Sequence, residues 1–380
     1  MSKHSQPQVL HAQRLGAGAG AGAALRPGRV RGSNWLKAAA LTALVLGLGL
    51  PVAQGASEPD QRDLVQVDAQ TERVIQGALR WLAARQQPNG SWGSTGEEAR
   101  HPVAMTGYVL IAFLATGNLP NEGPFGKTVA AGARYLLDSI SPEGYIGNRD
   151  DGQYMYGHGI ASIALAELYG QTRHPAIRAK LERVIKLIVA AQSREGGWRY
   201  RPVAYDADIS VTVLQVVALR AAKNAGLDVP QRTIDQAVRY VKACYHERTG
   251  GFSYQPHGEP GFARTAAAIY SLQVCGLYDD PMVKRGSAYL FDRAHKRPDW
   301  FTYGHFYAAP AQYMIGGDTW ARWYGMIKEQ LLSAVSERGD QVWWDQGRFG
   351  DSRSVGPVWA TAIYTTILAM PYHYLPLYQR

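Results

Sequence analysis

From about residue 70 onward, two kinds of apolar pattern alternate along the chain. The first is amphipathic: between Ile177 and Leu187 the apolar side chains recur at helical spacing, with Arg, Lys and Glu between them. The second is small and apolar around its whole circumference. It recurs over Val103 to Thr116, Tyr156 to Tyr169, Ile209 to Ala225, Ala263 to Cys275, His305 to Ile315 and Gly356 to Met370. A helix that is apolar on every side is buried on every side. Alternation of six charged and six buried helices predicts an all-α fold, an (α/α)6 toroid of six helical hairpins with the buried set inside. An open superhelix is the alternative, but its inner helices would keep a polar face toward solvent.

The connections within the hairpins repeat as well. Gly77, Trp81-Leu82, Gln86, Gly90 and Trp92 form a pattern that returns at Leu187-Ile188, Gln192, Gly196 and Trp198 with the same spacings. Weaker copies run from Tyr135-Leu136 to Gly144-Tyr145, from Tyr240-Val241 to Gly250-Gly251-Phe252, and from Arg285-Gly286 through Tyr289-Leu290 to Trp300. A last copy joins Leu331-Leu332 to Trp343-Trp344. A period of about 50 residues is one supersecondary unit that needs its neighbours to bury its faces. In each unit an aromatic and a Leu near the end of an outer helix pack inward. The Gln one turn further on is placed to bond the orphan carbonyls of that helix end. Gly then turns the chain and Trp covers the turn, a structural role for Trp92 and Trp198.

These turn residues resemble the QW repeat of squalene–hopene and oxidosqualene cyclases, which is also found in the beta subunits of protein prenyltransferases. The resemblance covers roughly residues 70 to 380. It implies an alpha/alpha toroid whose ligand cavity opens at one end. Cyclisation does not follow from it, because fold and chemistry separate easily.

The front of the chain is different. Gly16 to Ala24 is a Gly/Ala run, followed by Arg26, Arg29, Arg31 and Lys37, then a thirteen-residue apolar stretch from Ala38 to Leu50, Pro51 and the small-residue exit Ala53-Gln54-Gly55. This order reads as a secretory signal peptide with a long basic front, over residues 1–55. Residues 56–69 are a linker and 70–380 the toroid. The expected protein is exported, periplasmic or extracellular, with membrane anchoring through an uncleaved signal as the alternative. The apolar stretch falls short of the roughly 20 residues of a spanning helix. Six of the positive charges behind the formal +9 lie in this segment with no acidic residue, leaving +3 for the remainder. No basic cluster with interleaved aromatics stands out there, so nucleic acid is not an expected partner. Cys244 and Cys275 sit toward opposite ends of successive antiparallel helices, too far apart for a disulfide.

Each inner helix is reached from the same kind of turn, so all six run in one direction and their positive ends surround one mouth of the ring. That mouth suits an anion. Polar residues near the helix starts are the site candidates: Thr106, His158, Asp206, Asp208, Ser210, Arg264, Thr265, Tyr303, His305 and Arg353. Asp208 is also a good helix cap, and Asp351 to Ser354 could cap the last inner helix.

Asp206-Ala207-Asp208-Ile209 resembles the cyclases' Asp-x-Asp-Asp motif, whose middle Asp protonates an alkene, but Ile209 replaces the last Asp. Relative to the transferases' zinc ligands, Asp208 stands where Cys would be and Arg264 where His would be. A guanidinium cannot ligate zinc, so neither metal, other cofactor nor protein prenylation is expected. The complement-type thioester segment Gly-Cys-Gly-Glu-Gln is missing.

The leading expectation is a terpene-cyclase-like protein that binds an apolar, isoprenoid-like small molecule with a polar head group. In it Asp208 and Asp206 are the catalytic pair, His158, Arg264, His305, Tyr156, Tyr307 and Trp359 contact the ligand, and Tyr270 also lines the cavity. The alternatives are a non-catalytic toroid that binds a protein partner and a toroid glycosidase. The glycosidase needs two carboxylates across the mouth, Asp208 facing Asp345 or Asp351.

Overall fold

The structure, a computed structural model, describes residues 65–150, 154–294, 298, 300–345, 349 and 355–378. The N-terminal segment read as a signal, Asp351 and Arg353 lie outside the described residues. Twelve α-helices occur among the described residues. The outer set is α1 (Ala69–Ala83), α3 (Gly126–Asp138), α5 (Pro175–Ala190), α7 (Gln231–Ala243), α9 (Pro281–Ala294) and α11 (Gly317–Leu332). The inner set is α2 (Pro102–Ala115), α4 (Tyr154–Thr172), α6 (Ile209–Asn224), α8 (Phe262–Val274), α10 (Phe301–Ile315) and α12 (Pro357–Leu368). Each inner helix packs on the next, and α12 packs back on α2, so the ring is closed. The fold is an alpha/alpha toroid.

The turns explain the period. In the first, third and sixth units the Trp indole donates to the carbonyl of the preceding outer-helix end: Trp92 to Leu82 at 2.8 Å, Trp198 to Ile188 at 2.7 Å, Trp344 to Leu331 at 2.9 Å. The sequence assigned that role to Gln. Gln86 instead bonds the Gly90 and Thr128 carbonyls, both at 2.9 Å, and Gln192 bonds those of Gly196 and Thr233. Thr128 and Thr233 belong to the next outer helix in each case. The Gln therefore ties successive units together, while the Trp satisfies the helix end. Gly196 has φ of +103°, and a Cβ there would lie 2.2 Å from the Gln236 carbonyl oxygen of α7. Left-handed backbone and close approach both require Gly.

A Thr one turn into the inner helix completes the joint. Thr106, Thr212, Thr265 and Thr361 each accept a hydrogen bond from the backbone N–H of Trp92, Trp198, Phe252 and Trp344 in turn. Thr106 and Thr265, read from sequence as mouth candidates, are thus structural.

Ring closure uses a feature the sequence did not announce. Strands β1 (Ser336–Arg338) and β2 (Gln341–Trp343) form an antiparallel hairpin that packs on α1. Gly77 is the point of closest approach, since a Cβ there would lie 2.5 Å from Val342 Cγ2. Trp81 stacks on Trp343 at 6.0 Å, and Arg73 pairs with Glu337 at the exposed edge. At the end of the ring away from the turns, a 3-10 turn at Pro376–Tyr378 packs against α4, α6 and α10. Cys244 and Cys275 are free thiols, both pushed up to about 12 by burial. Among the described residues no helix is long and apolar enough to cross a membrane.

Candidate functional site

A cavity of about 950 Å³ opens among the starts of the inner helices. Its position follows from the ring: the inner N-termini share one end, and the turn loops rise around them. Tyr108, Tyr135, Tyr154, Tyr156, Tyr200, Tyr254, Tyr303, Trp300 and Trp359 give it an aromatic wall, with Val103, Ala104, Met105, Ala263 and Ala267 between them. Besides the tyrosines, its ionisable lining groups are Arg100, His101 and Arg264, and no carboxylate lines it among the described residues. Arg100 and His101 both meet Glu97, at 3.1 and 3.3 Å. Arg264 donates to the Glu259 carbonyl at 2.7 Å, and no described carboxylate pairs with it. The mouth therefore joins one charge-uncompensated cation to converging helix N-termini, both of which favour an anion.

Of the residues singled out from sequence, Tyr156, Ser210, Arg264, Tyr303 and Trp359 reach this cavity. Asp208 and Asp206 stand behind its wall. Asp208 is fully buried at the N-cap of α6, where Oδ1 accepts from Val211 N at 2.9 Å and from Ser210 Oγ at 2.6 Å. Its Oδ2 lies 3.4 Å from Arg199 Nε. Burial raises its pKa, while Ser210, Val211, Tyr254 and Arg199 pull the other way. Asp206 pairs with Arg199 and accepts from Gln255 Nε2 at 3.2 Å. The two carboxylates thus share one guanidinium.

His158 and His305 do not line the cavity. Tyr156 and Tyr303 do, and two residues along a helix is about 200° around it, which turns each His toward the outer ring. His158 Nδ1 bonds Tyr154 OH at 2.8 Å. His305 sits among Phe262, Phe301 and Trp323 at 4.3–5.5 Å between ring centres. Burial lowers both to about 3, so they stay neutral. Tyr307 and Tyr270 are buried beneath the cavity, 6.3 Å apart, with Tyr307 edge-on to Tyr303 at 5.0 Å. Asp345 is exposed after β2, bonded to Ser336 and to Trp343 Nε1, and does not line the cavity.

Sequence reasoning missed Arg100, His101, Tyr108, Tyr200, Tyr254 and Trp300. Tyr200 and Tyr254 each follow a turn aromatic, Trp198 and Phe252, by two residues, a signal present in the chain. Glu98 was also missed. It is buried behind the wall, accepting from the backbone N–H of Trp359 at 2.9 Å, and burial pushes it up to about 7.

No family model matches the chain, and no curated protein matches it in sequence. Solved structures do resemble it. Cellobiose 2-epimerase from Bacillus thermoamylovorans superposes with a TM-score of 0.60 at 12% identity, over 80% of this chain and 98% of that one. A D-mannose isomerase gives 0.58 at 14%, over 84% and 99%. The type II terpene cyclase from Scytonema gives 0.51 at 15%, over 80% and 99%. The toroid is thus one that isomerase, epimerase and terpene cyclase share, and at these identities the likeness is one of fold.

Proposed function

We propose that this toroid binds an apolar, isoprenoid-like small molecule by its body within the aromatic wall, with an anionic head group at Arg264. The carrying observation is the lining: a cavity of about 950 Å³ with aromatic and aliphatic walls, a cation without a carboxylate partner, and no described carboxylate. Its volume falls within the range of small-molecule sites. A reaction that needs a carboxylic acid against the substrate, alkene protonation or glycoside hydrolysis, has no such group in the described lining. Asp208 and Asp206 serve here as organisers of the wall. The basic, apolar N-terminal segment supports export of this protein before it meets its ligand.

Small molecules released from the purified protein and identified by mass spectrometry test the class directly. Titration of the tryptophan fluorescence with farnesyl phosphate, dodecanoate and dodecyltrimethylammonium tests the head group. The two anions should bind, the cation should not, and Arg264→Gln should weaken the anions about ten-fold. Equal binding of cation and anions overturns the reading. A second reading, a toroid that docks a protein, is favoured by the exposed Tyr205 and Trp300 on the mouth-side loops. Loss of a co-purifying protein on Tyr205→Ser with ligand binding intact would favour it.

A further inference from the structure

Three residues that line the cavity meet at the start of α6. Tyr156 OH lies 2.6 Å from Ser210 Oγ, and Tyr303 OH donates to the Ser210 carbonyl at 2.7 Å. The direction of the first bond is not free. Ser210 Oγ has one proton and sits 2.6 Å from Asp208 Oδ1, which already accepts from Val211 N. The Arg199 guanidinium beside Oδ2 favours the carboxylate form, in which Oδ1 can only accept. Ser210 therefore spends its proton on Asp208, the stronger acceptor. What remains on Ser210 Oγ for Tyr156 is a lone pair. Tyr156 must donate inward, and its oxygen keeps only lone pairs for anything in the cavity. Tyr303 has likewise committed its proton, since a carbonyl cannot donate.

We propose that Tyr156 selects ligands that carry a hydroxyl group at this point, with Ser210 and Asp208 as positioning residues that fix the phenol as an acceptor. The inference rests on the apolar-ligand reading above and adds a second polar requirement to it. The ligand is then an apolar body with an anionic end and a hydroxyl that donates to Tyr156. A ketone or ether oxygen at the same place would face lone pair against lone pair, and both would lose water without a replacement.

The test compares 11-hydroxydodecanoate with 11-oxododecanoate, nearly identical in size, with plain dodecanoate as reference, by tryptophan fluorescence. Wild-type protein should prefer the hydroxy acid over the oxo acid by about ten-fold. Tyr156→Phe should abolish the preference. Ser210→Ala removes the acceptor for the phenol proton, which then turns into the cavity, so the preference should shift toward the oxo acid. Equal affinities in the wild type, or a preference that survives in Tyr156→Phe, overturns this inference while leaving the binding reading standing if dodecanoate binds. Failure of dodecanoate and both derivatives to bind overturns the binding reading and this one with it. Should Ser210→Ala not fold, Tyr156→Phe decides the matter alone.

Discussion

Converting Glu98 to Gln should make the protein more stable at alkaline pH and leave it unchanged in acid. Glu98 is 3% exposed and seals the joint between the first unit and α12. Its Oε1 accepts from Trp359 N, and Gly356, with φ of +143°, leaves it room, since a Cβ there would lie 2.4 Å from its Cδ. The ordinary carboxyl value of 4.5 is raised to about 7, by burial first, against the pull of the Trp359 and Val358 amides and Arg85. The folded protein thus holds a proton that the unfolded chain releases. Its stabilising effect is complete below about 4.5 and is lost as pH rises through about 7. That gap corresponds to roughly 3 kcal/mol at 1.36 kcal/mol per pH unit. A Gln keeps an acceptor for the Trp359 amide and carries no charge, so above pH 7 it should exceed the wild type by up to about 3 kcal/mol, or roughly 6 °C in Tm for a chain of this size. Thermal melts of both proteins at pH 4.5, 6 and 8, followed by circular dichroism, give the difference. Glu167, also raised by burial, to about 8, slopes the same way in both proteins and cancels. A Glu98→Gln variant destabilised equally at all three pH values would show that the α12 amides hold Glu98 as an anion, and the reasoning would fail.

Other outcomes follow from the same structure. Trp198→Ala should cost about 3–5 kcal/mol, through lost burial and the freed Ile188 carbonyl, read in a denaturant melt; wild-type stability would refute the joint. Asp208→Asn should keep stability, since Asn caps nearly as well, while Asp208→Ala should lose about 1 kcal/mol or more. The Ala change also removes the acceptor for the Ser210 proton, so it should lower the preference for the hydroxy acid over the oxo acid, and an unchanged preference would reduce Asp208 to a cap. Exported material should carry an N-terminus near Gly55 by intact mass; a full-length, membrane-bound chain would contradict this.

The ring was legible because repetition reports packing. The twelve helices fall where the alternation put them, with boundaries a few residues out: α10 begins at Phe301 rather than His305, because Trp300 in a left-handed turn starts it earlier. The closing hairpin was not legible, since Ser336 to Trp343 is too short and too charged to show a strand period. The mouth was only half legible. Collecting polar residues near the inner helix starts ignored helical phase, so His158 and His305 were counted with Tyr156 and Tyr303, although they face the opposite way. Thr106 and Thr265 could have been set aside, because a Thr recurs at that depth in the units of Trp198 and Trp344 too, as Thr212 and Thr361. What recurs holds the ring, and what varies at one register can serve a ligand.

That register is the position two residues before the recurring Thr, or its equivalent where Thr is absent: Ala104, Gly157, Ser210, Ala263, Tyr303 and Trp359, all of which line the cavity. Four are small and two are aromatic, so the free volume lies against the first four inner helices. Gly157 is where the cavity can be filled without touching the fold. At Gly157 an added Cβ would have its nearest neighbour, Ala104 N, at 3.7 Å, an ordinary contact, and the backbone is helical. Gly157→Leu should therefore be tolerated or stabilising, since Gly costs a helix interior up to about 1 kcal/mol, while its side chain occupies the ligand space. Two residues on, Gly159 faces α6, and a Cβ would lie 2.7 Å from Gln215 Nε2 and Leu214 Cβ. Gly159→Ala should cost about 1–3 kcal/mol by overpacking and leave the affinity of the folded fraction unaltered. Dodecanoate titration and thermal melts on the two variants separate cavity from scaffold. A Gly157→Leu protein that melts like the wild type and binds dodecanoate as tightly would mean that the ligand does not occupy this cavity.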